Sequence, residues 1–135
     1  MKKKVIIAAV AIVCAVAAGL FVFRGQRPYR DLKASHVVSA AVRLSPPDQT
    51  IPIAEADMEE LVSYLNEVVI YNEDQSYTEY AGQAAIFTLQ MADGTREEIA
   101  AYNPFVVING TGYRTKYEPC EKLNRYANKL LNRAK

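Results

Sequence analysis

The sequence predicts an α+β fold: an N-terminal transmembrane helix, then an antiparallel sheet of about five to six strands with two helices packed on one face. Three observations predict it. Residues 5–23 are a run of 19 uncharged residues. Short strand-like segments are separated by turn dipeptides such as Asp93-Gly94 and Asn109-Gly110, and two further segments have the apolar spacing of a helix. The expected order in the globular part is ββαββββα.

The first element is a predicted membrane anchor over residues 1–23. Three lysines, Lys2 to Lys4, precede the apolar run 5–23, which contains no charge and no proline. At about 1.5 Å per residue the run reaches about 28 Å, close to the roughly 30 Å hydrocarbon core of a bilayer. A cleavable signal peptide usually has an apolar region of only about 7–15 residues. We therefore expect an uncleaved signal anchor with the domain outside the cytoplasm.

Three alternatives stay open for this segment. Ala15-Val16-Ala17 has the small-x-small form of a signal-peptidase site, and cleavage there would give a secreted protein. Cys14 could be a lipoprotein cysteine, although the bulky Val13 precedes it where such sites have a small residue. The basic residues on the two sides of the span are nearly balanced, so a cytoplasmic domain is the alternative orientation.

Residues 24–35 are predicted to be a basic juxtamembrane linker. Their cations are Arg24, Arg27, Arg30 and Lys33. These side chains are candidate contacts for anionic lipid headgroups, worth about 1 kcal/mol for each basic residue near the surface. The alternative is a solvated linker without lipid contact.

Residues 36–135 are predicted to form the α+β globular domain, which begins with two strands and a helix. The first strand shows the alternation of a half-buried strand, and the second, at 50–53, is confined to a sheet edge by Pro52. A helix is predicted over 55–67, with acidic residues in its first turns, where the helix dipole stabilises them. The predicted inward residues of the first strand are Val38, Ala40, Val42 and Leu44, and those of the helix are Met58, Leu61, Val62, Leu65 and Val68.

Strands and turns follow up to Tyr117, and a second helix begins at Glu118-Pro119. Asp-Gly and Asn-Gly are strong hairpin signals because both central positions of a type I′ turn need positive φ. The predicted strand segments are 68–71, 77–91 with a break at Gly82, 97–102, 105–108 and 113–117. The predicted inward residues are Ala85, Phe87, Leu89 and Met91 in the sheet, and Cys120, Leu123, Ala127, Leu130, Leu131 and Ala134 in the second helix.

The domain holds one thiol and one imidazole, Cys120 and His36. We predict no catalytic residue, no cofactor and no metal site. The alternative hypothesis is a thiol-dependent enzyme that uses Cys120 with His36, since a helix N-terminus lowers a thiol pKa. Because Cys120 shares an apolar stripe with Leu123 and Ala127, a buried structural thiol is the favoured interpretation.

Tyrosines are the candidate binding residues. The chain has nine, and Tyr71, Tyr77 and Tyr80 cluster around one predicted hairpin. Exposed tyrosine suits a binding surface because it presents a large rigid area with a polar tip. The alternative is cross-strand aromatic packing within the sheet.

Charge is segregated along the domain. From Leu44 to Tyr113 there are twelve acids and one base, Arg96, a net charge of −11, whereas Arg114 to Lys135 carries seven bases and two acids, a net charge of +5. The acidic body would repel phosphates, so we expect no nucleic-acid binding. A basic protein partner or a cation-rich envelope surface is compatible with this pattern, and charge complementarity within the fold is the alternative.

Several turns and strand ends carry a resemblance to a known group of proteins. They are Tyr80-Ala81-Gly82-Gln83, Met91-Ala92-Asp93-Gly94-Thr95, Asn103 to Gly110, Tyr113 and Lys116-Tyr117-Glu118. Over about residues 50–131 the chain resembles small, largely uncharacterised proteins of Gram-positive bacteria with one N-terminal anchor and one extracytoplasmic α+β domain. The resemblance implies a surface location and a sensing or binding role, and it implies no catalytic residue.

Together these patterns favour a membrane-anchored extracytoplasmic binding or sensory accessory domain, with a protein or cell-envelope partner. A third hypothesis is a structural accessory subunit that docks on another membrane protein through an apolar face.

Overall fold

A computed structural model describes residues 25–134. The predicted anchor, the signal-peptidase site and Arg24 lie outside the described residues. Within the part of the chain that is described, no helix is long and apolar enough to cross a membrane.

The described residues form one antiparallel sheet of seven strands and two α-helices. The elements are β1 (Val37–Ser45), β2 (Gln49–Ile53), α1 (Met58–Asn66), β3 (Ile70–Glu73), β4 (Ala84–Met91), β5 (Arg96–Tyr102), β6 (Phe105–Ile108), β7 (Thr111–Thr115) and α2 (Tyr117–Ala134). The strand order across the sheet is β2-β1-β4-β5-β6-β7-β3. The predicted α+β class is confirmed, but the sheet has seven strands rather than five to six, because each of the seven segments predicted as strands, including 68–71 after the first helix, contributes a strand of its own.

One core lies between the helices and one face of the sheet. The predicted apolar stripes of both helices are buried except for Ala134, which is exposed. The alternate residues Ala85, Phe87 and Leu89 of β4 point into the same core. The opposite face of the sheet carries no α-helix from residues 25–134.

The predicted inward position of Val38 is wrong, because its side chain is 71% exposed and Val37 is buried instead. The register between β1 and β4 shifts here, since Val37 faces Met91 whereas Ser39 faces Gln90. One extra residue in β1 forms a β-bulge, so the alternation of inward and outward side chains shifts by one residue at this point.

Three predicted boundaries also shift. Tyr77 lies in a short 3-10 helix, Ser76–Glu79, and not in a strand. Tyr117 begins α2 and does not end a strand. The predicted helix 55–67 is a 3-10 turn, Glu55–Asp57, followed by α1.

The predicted linker, described from residue 25, packs against the domain. The backbone of Gln26 pairs with Ile70 in β3 through two hydrogen bonds, each 2.8 Å long. Tyr29 is buried, and its hydroxyl donates to Glu97 Oε2 over 3.0 Å. The side-chain amide of Asn66, the last residue of α1, donates to the carbonyl oxygens of Tyr29 and Leu32.

Candidate functional site

The face of the sheet without α-helices carries a groove that we call the tyrosine groove. Its volume is about 430 Å3. It lies between the strands and residues 74–82, which cross this face after β3 and which we call the strap. The groove is lined by Ser45, Tyr77, Thr78, Tyr80, Gly82, Ala84, Ile86, Glu98, Ala100, Tyr102, Val107 and Gly110.

The floor of the tyrosine groove is apolar. Ile86 in β4 faces Ala100 in β5, and Ala100 faces Val107 in β6, so the three side chains are neighbours on the open face. All three are half-buried. An aliphatic or aromatic group that entered the groove would therefore contact apolar surface on three adjacent strands.

Tyrosines form the walls of the groove. Tyr77 and Tyr80 come from the strap, and Tyr102 comes from the end of β5. The hydroxyl of Tyr102 donates a hydrogen bond to the carbonyl oxygen of Tyr80, which ties the strap to the sheet. Tyr80 is 48% exposed, so its ring is accessible to a ligand.

The strap is held on the sheet by a buried ring. Phe105 is fully buried although it lies on the open face, because the strap covers it. Its centroid is 5.1 Å from that of Tyr80 and 6.3 Å from that of Tyr77, both in edge-to-face geometry. The guanidinium carbon of Arg114 lies 4.8 Å from the Phe105 centroid, a cation–π contact.

Asp74 fixes the start of the strap. Its carboxylate accepts hydrogen bonds from the hydroxyl and the backbone N–H of Ser76, and from Nε of Arg114 over 3.0 Å. These bonds, with the Ser76 hydroxyl as the largest cause, lower the pKa of Asp74 to about 2. Gly112 lies directly beneath the start of the strap. A Cβ at this position would be 2.5 Å from Tyr77 Cδ1 and 2.6 Å from the Asp74 carbonyl oxygen, so the strap packs here against a residue without a side chain.

One carboxylate of the groove is poorly paired. Glu98 lies in the lining, and its side chain is 50% exposed. The nearest cation within residues 25–134 is Arg96, whose Nη2 is 4.0 Å from Glu98 Oε2. By contrast Arg43, on the same sheet face, is bound to Asp48 at 3.1 Å. The groove therefore combines an apolar floor and aromatic walls with one carboxylate, that of Glu98, which can bind a cation.

A larger cleft, of about 650 Å3, lies at the other end of the molecule. It is lined by Val38, Ile53 and Met58 together with small residues and two carboxylates, Glu55 and Glu59. None of the described residues that line it is aromatic. We favour the tyrosine groove as the binding site because rigid aromatic walls supply more binding energy per residue than small polar ones.

The structure brings together two of the three predicted binding tyrosines. Tyr77 and Tyr80 line the groove, whereas Tyr71 lies in edge strand β3 and is 38% exposed. Sequence reasoning missed Tyr102 and the floor residues. A signal for one floor residue was present, because Ile86 is apolar although it alternates with the predicted inward residues Ala85 and Phe87.

The predicted lipid contacts that fall within the described residues lie on the surface. Arg27, Arg30 and Lys33 are exposed. Arg27 also has a structural role, because its guanidinium donates two hydrogen bonds, of 2.7 and 3.0 Å, to the carbonyl oxygen of Asn66 at the end of α1.

Cys120 and His36 lie at opposite ends of the sheet. Cys120 Sγ is 3.6 Å from the carbonyl oxygen of Phe105, beside the start of β6, whereas the carbonyl of His36 accepts from the N–H of Ala92, just after β4. Strand β4 separates the two ends by about 20 Å, at about 3.3 Å per residue. Burial raises the pKa of the Cys120 thiol to about 12, so it is neutral and enclosed. Within residues 25–134 no group of three or more His, Cys, Asp or Glu side chains could hold a metal ion.

No protein-family model matches this chain, and neither a curated protein nor a solved structure matches it.

Proposed function

We propose that this chain is a membrane-anchored, extracytoplasmic binding domain whose tyrosine groove holds a partner polypeptide through one of its lysine or arginine side chains. The observation that carries the proposal is the lining of the groove, which contains three tyrosines, an apolar floor and the poorly paired Glu98.

The lining suits a side chain with an apolar stem and a cationic head. The methylene groups of lysine or arginine pack on apolar surface and leave the charge at the end free to bind. Ile86, Ala100 and Val107 supply that surface, and the tyrosine rings attract a cation through their faces. Glu98 supplies the carboxylate for a charge-assisted hydrogen bond.

Long-range charge favours the same partner. The segment from Leu44 to Tyr113, which contains every residue of the groove, has a net charge of −11. Four bases that follow it, Arg114, Lys122, Lys129 and Arg133, form ion pairs with its acids. With fifteen acids and eleven bases, residues 25–134 together keep a net charge of −4. A field of that sign raises the local concentration of basic peptides and their association rate. A basic polypeptide is thus favoured over an acidic one or a nucleic acid.

The geometry favours binding over thiol catalysis. A nucleophilic cysteine needs access to its substrate and a stabilised thiolate, and Cys120 is buried with a raised pKa. Cys120 and His36 could act together only if they came into contact, and about 20 Å along β4 separates them.

Selection of peptides on the intact chain tests the proposed function. The full-length protein is reconstituted in nanodiscs, and a random peptide library is panned against it. We expect the selected peptides to be enriched in lysine or arginine next to apolar or aromatic residues. An enrichment without basic residues would contradict the proposed specificity, and the absence of any selected peptide would contradict binding in the groove.

A matched pair of variants locates the binding site. Ala100→Leu fills the floor of the groove, whereas Ala41→Leu adds the same volume on the same sheet face outside its lining. We expect Ala100→Leu to abolish capture of the selected peptides and Ala41→Leu to preserve it. Equal behaviour of the two variants would place the binding elsewhere.

A further inference from the structure

Two backbone hydrogen bonds fix the point at which the chain enters the domain. Gln26 N–H donates to the Ile70 carbonyl oxygen, and Ile70 N–H donates to the Gln26 carbonyl oxygen, each over 2.8 Å. Gly25 permits this approach, because its φ is +73° and a Cβ there would lie 2.7 Å from the Ile70 carbonyl oxygen. The chain is thus attached firmly from residue 26 onward.

The distance from the predicted membrane span to this attachment is short. The apolar run ends at Phe23, three residues before Gln26. Three extended residues reach at most about 10 Å. The headgroup layer on each side of a bilayer is about 5–8 Å thick. If residues 5–23 span the membrane, Gln26 therefore lies within or just above the headgroups.

The residues around this attachment have the chemistry of a membrane interface. Tyr71 follows Ile70 in β3 and is 38% exposed, and Tyr117 at the start of α2 is 59% exposed. Arg27 and Lys116 line a common surface cleft, and both are exposed. The same cleft holds Lys122, which is paired with Glu67, and Glu118, so its three cations outnumber its two carboxylates. Tyrosine is enriched at headgroup level, and basic residues near the surface bind anionic lipids.

We infer that this N-terminal corner, made of Gln26, Arg27, Tyr71, Lys116 and Tyr117, rests on the headgroups of the membrane that holds residues 5–23. The inference depends on the anchorage in the proposed function. The domain is then held at the surface by a tether of two residues, Arg24 and Gly25, and does not extend on a flexible linker. The turns at Asp93-Gly94 and Asn109-Gly110 then lie at the end of the domain that is farther from the membrane.

Paramagnetic broadening measures this orientation. The full-length chain is placed in nanodiscs of phosphatidylcholine and phosphatidylglycerol that contain a lipid with a gadolinium chelate on its headgroup. We expect the amide signals of Tyr71, Lys116 and Tyr117 to lose their intensity, whereas those of Gly94 and Gly110 keep theirs. Uniform broadening, or broadening confined to Gly94 and Gly110, would overturn the inference.

Flotation with vesicles tests the membrane anchorage independently of the proposed orientation of the domain. A chain that does not float after an alkaline wash overturns the anchorage, and the proposed function and the inference fail together. A chain that floats while its N-terminal corner keeps full intensity overturns the inference alone.

A length-matched pair of insertions tests the tether. A flexible Gly-Ser segment inserted after Arg24 lengthens it, and the same segment inserted between Asp93 and Gly94 does not. We expect only the first insertion to restore the intensity of the Tyr71 and Lys116 signals. If broadening at these residues is the same in both variants, the short tether does not hold the corner at the membrane.

Discussion

The hydroxyl of Tyr102 donates a hydrogen bond to the carbonyl oxygen of Tyr80. This bond joins the end of β5 to the strap and fixes the spacing of the two aromatic walls. Since Tyr102 lies next to the floor residue Ala100 on the open face, the bond also sets the width of the tyrosine groove.

Tyr102→Phe tests this bond. The ring and its packing are retained, and the loss of one hydrogen bond is worth about 1 kcal/mol. We expect amide hydrogen exchange within residues 76–82 to accelerate about fivefold, which corresponds to that free energy for local opening. The control is Tyr71→Phe, because the Tyr71 hydroxyl makes no hydrogen bond within residues 25–134. Equal exchange in the two variants would show that the bond does not hold the strap.

Gly112→Ala is expected to displace the strap. The added Cβ would lie 2.6 Å from a backbone oxygen of Asp74 and 2.5 Å from the Tyr77 ring, and the backbone contact is not relieved by a rotamer change. Overpacking of this kind costs about 1–3 kcal/mol. Urea unfolding should show that loss, and the nuclear Overhauser contacts between Tyr77 and Phe105 should weaken. Wild-type stability with unchanged contacts would contradict the close packing of the strap on β7.

The strap is expected to loosen in acid through Asp74. The folded-state pKa of about 2 lies below the ordinary value of 3.8. The carboxylate therefore stabilises the strap fully above about pH 4, and this contribution is lost as the pH falls toward about 2. The side-chain NMR signals of Tyr77 and Tyr80 should shift over that range. Asp74→Asn is the control, because the other carboxylates still titrate in it, and an identical pH response in this variant would contradict the role of Asp74.

Cys120 is expected to be unreactive in the native protein. Its thiol is buried and its pKa is raised to about 12, mainly by desolvation. In a Cys14→Ser chain, iodoacetamide at neutral pH should modify native Cys120 at least a hundredfold more slowly than the urea-unfolded chain, because the reactive thiolate is scarce and enclosed. Comparable modification rates of Cys120 in the native and the unfolded chain would contradict its burial and support the thiol-enzyme hypothesis.

The fold was largely predictable where the pattern of burial is local. The stripe of α1 from Met58 to Leu65 and the alternation from Ala85 to Leu89 follow directly from the periods of helix and strand. The bulge at Val38 was not predictable, because a register shift depends on the partner strand. The packing of Tyr29 beside Glu97 was missed for a similar reason, since residues 68 apart in sequence meet only in the tertiary structure.

The site was predictable only in part. Local clustering pointed to Tyr77 and Tyr80, but the third wall, Tyr102, is brought to them by the pairing of β4 with β5. The sequence also could not place Glu98 in the groove, because alternation alone does not say which face of β5 the strap covers.

The affinity of a lysine-bearing peptide, selected by panning, for two charge variants shows whether a basic side chain binds in the tyrosine groove. Glu98→Gln removes the carboxylate of the groove, and Glu79→Gln removes a carboxylate of the strap that does not line it. A charge-assisted hydrogen bond is worth about 1.5–3 kcal/mol. We therefore expect Glu98→Gln to weaken binding by about tenfold or more in isothermal titration calorimetry, and Glu79→Gln to change it little. Equal affinities of the Glu98→Gln variant and the wild-type chain would contradict a basic side chain in the tyrosine groove.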